Sequence, residues 1–553
     1  MTAGWAAVAQ VGIVVALVLV AQWPLGGYLA RVLADGQDNR VERGVYRVVG
    51  VDPRGGQTWS AYAVSVLVFS LLGVLVLYTL LRLQRHLPWS LGREGMPAAG
   101  AFNTATSFVT NTNWQSYSGD SALGYVAQMA GLTVQNFLSA AVGIAVAFVI
   151  MRGFAGSRGT QVGNFWVDVT RIVVRVLLPL SMVLALVLLL GGVIQNLNDP
   201  LQVTNLAGSA QTIPGGPVAT QEAIKQLGTN GGGFFNANSA HPFENPSAWT
   251  NTLAIVALLV IPFSLPRALG ITLGNRRQGT AILAAMGILW LGSVAVATWS
   301  ELSAFGAAGQ LAGGAMEGKE VGFGEAASAL FAASTTATST GAVNASHDSL
   351  TAPGGGIALT NMMLGEVSPG GVGSGLYGIL VMAVMTVFLA GLMVGRTPEL
   401  YGKRISRPQV SLAALYLLTT PVLLLVGAAI TVAVPELREA SITQDGPHGL
   451  TSALYAYASA ANNNGSAFGS FNAATDYQNT VLGVLMVLGR FVPMILVIAL
   501  AGSLIRQPRT EPGPGTLRTD TPLFVALVVV VVLFLAGLTY VPALALAPLA
   551  EAL

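Results

Sequence analysis

The sequence predicts an all-α polytopic membrane protein. It has about ten transmembrane helices, with four membrane–pore–membrane repeats in pseudo-fourfold symmetry around an ion filter. Three observations carry that reading. Of 553 residues, 53% are hydrophobic and 9% charged, against about 25% charged in ordinary soluble domains. Apolar runs of eighteen or more residues recur along the chain, each long enough as a helix to cross a hydrocarbon core. Four short loops centred on Gly or Asn lie between them, and Asn113, Gly231, Gly341 and Gly465 stand 118, 110 and 124 residues apart. Such a period marks a repeated unit.

At the start, Met1 to Val20 is apolar, lacks a basic n-region and meets Trp23-Pro24 with no small-residue cleavage site. It is therefore a span and not a signal peptide. Ten spans are expected, at 5–23, 60–82, 126–150, 172–194, 250–266, 280–300, 376–395, 410–434, 480–503 and 522–546. The chain reads as one membrane domain over 1–553, opening with a first span and cytoplasmic loop (1–58). Repeats follow at 59–150, 172–267, 280–395 and 410–503, and an additional last span at 522–546.

Charge sets the orientation. With the N-terminus outside, the cytoplasmic loops hold 19 Lys and Arg, running from Arg31 through Arg175, Arg277, Arg396 and Lys403 to Arg518. The opposite side holds 6, namely Arg82, Arg85, Arg93, Lys225, Lys319 and Arg438, while Arg490 lies inside a span. This positive-inside bias makes both termini extracytoplasmic and puts all four loops on the outer side.

Each loop follows a short helix-like stretch, at 100–109, 219–227, 324–333 and 451–460. About ten residues cannot cross a bilayer, so these are re-entrant elements. Non-helical backbone at membrane depth is tolerated only where protein buries it or it lines a watery cavity. The four therefore belong together around one pore.

The loop chemistry points to a monovalent cation. A filter replaces an ion's hydration shell with backbone carbonyls, which needs dihedrals that Gly adopts freely and Asn tolerates. The expected filter residues are Thr110, Asn111, Thr112, Asn113 and Gln115 in the first loop and Thr229, Asn230, Gly231 and Gly232 in the second. The third supplies Thr338, Ser339, Thr340 and Gly341, and the fourth Asn462, Asn463, Asn464 and Gly465. None is acidic, and neutral oxygens suit a large, weakly hydrated ion, K+ above all. Gln115 reads equally as a filter residue or a polar loop end. Asp120, Glu244, Asp348 and Asp476, one per quarter, are candidates for a cation-attracting vestibule or ordinary solvated loop residues.

Below the loops, Arg490 is costly within a span. It reads as a barrier that repels cations, or as a structural Arg paired with carbonyls or with Glu366. The stretch Gly365 to Gly375 carries five Gly and one Pro in eleven residues and cannot form a regular helix. It is a candidate gate containing Glu366, Gly370 and Gly371, or a surface connection.

Other chemistries are excluded. Cys is absent and four His are scattered, which removes disulfides and thiolate sites and argues against zinc. No G-x-x-x-x-G-K-[ST] loop, no Asp-Lys-Thr-Gly motif and no soluble stretch for a nucleotide domain is present, so no catalytic residue and no ATP site is expected.

Thr110 to Tyr117, Leu227 to Pro246, Ser339 to Asp348, Gly365 to Gly378 and Ala461 to Phe468 together resemble one family. It is the potassium-binding subunits of the bacterial high-affinity Kdp K+-transporting P-type ATPase, within the superfamily of K+ transporters. The resemblance implies a fourfold membrane–pore–membrane fold, K+ as bound substrate, and a bacterial plasma membrane. It implies as partners a catalytic P-type ATPase subunit and small accessory Kdp subunits, amid membrane lipid and with no nucleic acid. It also implies an internal tunnel toward the ATPase subunit. A stand-alone K+ channel or secondary K+ symporter of the same superfamily is the alternative. A carrier for an organic anion fits less well, because the repeats share one orientation.

Overall fold

The computed structural model describes residues 3–395, 397–510 and 516–553, so Arg396 lies outside the described residues. The helices that organise it begin with Ala3–Ala34 (α1), Trp59–Arg82 (α2), Ala98–Val109 (α3), Ala127–Ala155 (α4) and Phe165–Leu190 (α5). Next come Val218–Leu227 (α6), Ala248–Thr272 (α7), Arg276–Leu302 (α8), Gly324–Ala337 (α9) and Ala352–Met363 (α10). The last are Ser374–Val394 (α11), Arg407–Ala433 (α12), Gly446–Asn462 (α13), Asp476–Ile505 (α14) and Pro522–Leu546 (α15). Among the described residues, ten of these are long and apolar enough to cross a membrane: α1, α2, α4, α5, α7, α8, α11, α12, α14 and α15.

Burial separates inner from outer helices. Around each loop, the long helix that follows is more buried than the one before. Within an 18-residue apolar stretch of each helix, 83% of the residues are buried in α4 against 22% in α2, 83% in α7 against 39% in α5, and 56% in α14 against 22% in α12. Apolar residues therefore line both the core and the lipid-facing surface, as a bilayer requires. Small residues let the inner helices approach. A Cβ on Gly489 would lie 2.1 Å from the Ala461 carbonyl, and one on Gly153 2.8 Å from Ala501 Cα.

Nine of the ten expected spans have both ends within seven residues of the observed helices. The exception is the first, which runs eleven residues past its expected end and keeps Pro24 inside. Packing overrides the breaker there. A Cβ on Gly26 would meet the Ser264 carbonyl of α7 at 2.7 Å, and Arg267 stacks over the Trp23 ring at 4.5 Å. Lys225 and Lys319, read from sequence as outer-loop charges, are instead buried in ion pairs, Lys225 with Glu222 and Glu244 and Lys319 with Glu301. The chain also adds a two-stranded hairpin, Leu201–Thr204 with Ala210–Ile213, between α5 and α6.

The four short helices α3, α6, α9 and α13 precede the four loops, as expected from sequence. The third quarter differs after its loop. Its inner helix is interrupted between α10 and α11 at residues 364–373, and 366–373 are buried rather than forming a surface connection.

Candidate functional site

All four loops begin with the same turn. The N–H groups of Thr112, Asn230, Thr340 and Asn464 each return to the carbonyl five residues earlier, on Ser107, Lys225, Thr335 and Ser459, at 2.8–3.0 Å. This is the Schellman closure of a helix C-terminus, which demands a left-handed residue just past the end. Asn111, Thr229, Ser339 and Asn463 supply it, with φ of 67°, 45°, 57° and 62°. Asn accepts that conformation easily, whereas a β-branched Thr resists it. Thr229 is held there from both sides. Its hydroxyl accepts from Val372 N–H at 3.0 Å, and its carbonyl accepts from Asn111 Nδ2 at 2.9 Å.

Two residues on, Asn113, Gly231 and Gly465 are left-handed again, with φ of 58°, 105° and 104°. In an extended strand, successive peptide planes face opposite ways; alternating handedness turns them toward a common side.

The loops form a closed ring. A Cβ on Gly232 would lie 2.7 Å from the Asn113 carbonyl, and one on Gly231 2.3 Å from Gly341 N. One on Gly341 would lie 2.8 Å from the Asn464 carbonyl, and one on Gly465 1.9 Å from the Thr112 carbonyl. Each loop thus touches the next in chain order, and the fourth returns to the first. Hydrogen bonds follow the same circuit. Asn111 Nδ2 donates to Thr229 O (2.9 Å), Gly341 N to Asn230 O (3.2 Å), Ser339 Oγ to Asn463 O (3.0 Å), and Asn463 Nδ2 to Thr112 Oγ1 (3.0 Å).

Among the described hydrogen bonds, none ends on the carbonyls of Thr112, Asn113, Gly231, Ser339, Gly341, Asn464 or Gly465. Every quarter contributes to this set. Buried carbonyls are normally paired, so a ring of unpaired ones is suited to hold a desolvated cation. Threonine hydroxyls lie in pairs instead: Thr110 with Thr112 at 2.8 Å, Thr338 with Thr340 at 2.9 Å.

On one side of the ring, a cavity of about 720 Å3 is lined by Asn113, Gly232, Gly341 and Gly465, one from each loop. Gln115 also lines it and accepts from Gly233 N–H at 2.9 Å, which braces the second loop. No carboxylate lines this cavity. Of the acidic candidates, Glu244 is consumed by Lys225 at 2.9 Å and Asp348 by His448 at 2.9 Å. Asp476 lines a separate pocket with Ser116 and Tyr117, and Asp120 lines neither. Glu244 and Asp348 are therefore paired, and none of the four acids lines the cavity.

On the other side lies the interrupted helix. A Cβ on Gly371 would sit 3.0 Å from Ser339 Cβ and 3.3 Å from Thr229 Oγ1, directly against two loops. Gly370 N–H donates to Ala337 O at 2.9 Å. Glu366, 3% exposed, accepts from Asn464 Nδ2 at 3.0 Å. Arg490 is 4% exposed and, among the described residues, forms no ion pair within 4.0 Å; its Nη2 has no hydrogen-bond partner. Glu366, Asn462, Asn463 and Arg490 share a second cavity of about 300 Å3.

Several supporting residues escape a reading of motifs. Asn136 and Ser139 of α4 brace the first loop, through Asn113 Nδ2 to Asn136 Oδ1 (2.6 Å) and Ser139 Oγ to Asn111 Oδ1 (2.8 Å). Two polar residues on one face of an apolar span are the trace they leave in sequence. Asn238, whose amide donates to the Gly232 carbonyl, falls inside the stretch Leu227 to Pro246, but neither its type nor its spacing marks that contact.

A family profile described as potassium-transporting ATPase A subunit matches residues 12–553. The potassium-transporting ATPase potassium-binding subunit of Clavibacter michiganensis subsp. michiganensis is 56% identical over 552 residues, 99% of each chain. That of Streptomyces coelicolor is 55% identical over 548 residues, also 99% of each. Among solved structures, the potassium transporter TrkH from Vibrio parahaemolyticus matches 88% of this chain and 97% of its own with a TM-score of 0.54. At 15% identity, that likeness is one of fold. Nearly the whole length of the chain is thus matched, and it belongs to the potassium-transporting ATPase A subunit family.

Proposed function

We propose that the chain is the K+-binding and K+-translocating, channel-like subunit of an ATP-driven potassium importer. The observation that carries this is the closed ring of four loops with unpaired carbonyls from every quarter and no carboxylate among them. Neutral oxygens replace the hydration shell of a weakly hydrated monovalent ion and do not repay the dehydration of a divalent one. The filter consists of Thr110–Asn113, Thr229–Gly232, Thr338–Gly341 and Asn462–Gly465, with Gln115 at its mouth. The C-terminal ends of α3, α6, α9 and α13 add their negative dipole ends near the ring.

In this reading the large cavity faces the extracytoplasmic side of a bacterial plasma membrane, and both termini lie on that side. The repeats run at 59–150, 172–267, 280–395 and 410–503, with 1–58 and 522–546 as additions. The catalytic P-type ATPase subunit hydrolyses ATP and receives K+ through an internal path, with small accessory Kdp subunits completing the complex. The segment holding Glu366, Gly370 and Gly371 gates the exit, and Arg490 repels cations from a straight route to the cytoplasm.

The test is K+-stimulated ATPase activity of the chain purified with its ATPase partner. Gly231→Asp places a side chain 2.3 Å from Gly341 N and a carboxylate in a neutral ring. It should weaken the half-saturating K+ concentration by at least about a hundredfold, well over 2 kcal/mol. Gln115→Arg, which sets a cation at the mouth, should do so by less. Unaltered K+ affinity in Gly231→Asp would sink the assignment, and K+ uptake by this chain alone in ATP-free vesicles would favour the stand-alone channel.

A further inference from the structure

The four loops share a register that makes their supports comparable. The residue whose carbonyl closes each helix also braces the descending limb of its own loop. Ser107 Oγ donates to Trp114 O at 3.1 Å, and Thr335 Oγ1 donates to Thr340 O and Ala342 O at 2.6 Å each. Ser459 Oγ accepts from Gly465 N–H at 2.9 Å. In the second quarter the same position is Lys225, and it is fully buried.

A buried ammonium is costly unless paired and hydrogen-bonded. Lys225 meets Glu222 at 2.6 Å and Glu244 at 2.9 Å, and it donates to Asn238 Oδ1 at 2.8 Å and Ser239 Oγ at 3.0 Å. Glu244 accepts in turn from Phe235 N–H at 2.9 Å, and Asn238 Nδ2 donates to the Gly232 carbonyl. The ammonium therefore grips the limb from residue 232 to residue 244, where Gly232 and Gly233 give the backbone no stiffness of its own.

We infer that Lys225 is a positioning residue that sets the ion selectivity of the second quarter, acting through Asn238 on the Gly232 carbonyl. It does with a charge and a relay what a single hydroxyl does in the other three. The inference rests on the loops being a K+ filter. A carbonyl ring discriminates K+ from Rb+ through the spacing its supports enforce, and this support is the one that differs.

Lys225→Met leaves two carboxylates buried without a counter-charge and is expected to block assembly, so it is not the deciding variant. Asn238→Ala cuts the relay and leaves the Lys225–Glu222–Glu244 cluster whole. In the assembled complex, it should raise the half-saturating K+ concentration about tenfold, the cost of one buried hydrogen bond. The ratio of Rb+ to K+ affinity should shift toward one, with the maximal ATPase rate and the yield of complex within about twofold of the unaltered protein. Unchanged affinity and unchanged Rb+/K+ ratio overturn the inference, as does a loss of yield and rate at constant ratio. Gly231→Asp in the same assay separates the two readings. If it abolishes K+ affinity while Asn238→Ala changes nothing, the clamp fails and the filter stands. If neither changes affinity, the filter itself fails.

Discussion

The second and third quarters carry inner helices of the same role and opposite continuity. The second, α7, runs unbroken through 25 residues although Pro262 and Pro266 lie inside it. The third stops at Met363 and resumes at Ser374 around one proline, Pro369. Proline alone does not decide. In α7 the missing N–H groups lie in a helix whose neighbours bury 83% of an 18-residue apolar stretch and hold its direction. In the third quarter the chain turns left-handed four times, at Gly365, Glu366, Gly370 and Gly373, with φ of 79°, 49°, 78° and 97°. Handedness and close approach make the break. A Cβ on Gly373 would lie 2.0 Å from the Gly143 carbonyl, so the segment is pressed against α4 as well as under the loops.

The largest effect should come from forcing a side chain into that break. Gly370→Ala puts a Cβ 1.9 Å from the Glu366 carbonyl at a φ of 78°. Transport by the complex should fall by at least about tenfold, while Pro262→Ala in α7 changes it less than about twofold. Equal effects of the two, by K+ uptake into vesicles, would erase the distinction between the helices.

A smaller effect belongs to the charge beneath the break. Arg490→Ala should leave K+ binding within about threefold but let K+ pass without ATP use, read as the ratio of ions moved to ATP hydrolysed. Arg490→Lys, which keeps the charge, should retain most of the coupling. A coupling ratio unmoved by Arg490→Ala in reconstituted vesicles leaves Arg490 a packing residue.

The smallest effect lies at the rim, where an imidazole joins the third and fourth quarters. His448 bonds Asp348 at 2.9 Å and Glu551 at 2.8 Å. Its hydrogen bond to Asp348, then the one to Glu551, pushes its pKa up to about 10. A raised pKa contributes stability in full below the unfolded value of about 6.5 and loses it as pH rises through the folded one. The Tm of the complex should therefore fall between pH 7 and 10, and His448→Ala should remove part of that slope, about 2 °C. An identical slope in the variant would show the tie to be inert.

Much of this was legible in the sequence, for reasons of length and composition. A bilayer demands long apolar helices, so nine spans were placed to within seven residues at each end, and the Gly-rich run announced a break. The four loops were legible because Asn, Gly, Ser and Thr are the residues that tolerate or support left-handed turns. Charge was less readable. Lys225 and Lys319 looked like surface residues because Glu244 and Glu301 are 19 and 18 residues away, and Glu222, three residues before Lys225, reads as an ordinary pair on an exposed helix face. The pairing of Glu244 and Asp348 was hidden too, since sequence does not reveal that each faces a cation of its own. The first span was cut short at Pro24 because nothing local records the shape of α7.

All four quarters are written in one polypeptide, and that has a consequence for what such a pore is free to evolve. In an assembly of four identical subunits, one codon change to arginine would plant four positive charges around the axis and close it to every cation. Here a single gene specifies each wall separately. One wall can carry a lone guanidinium, another a snapped helix and a third a lysine-held limb, each selected without copying its cost three more times.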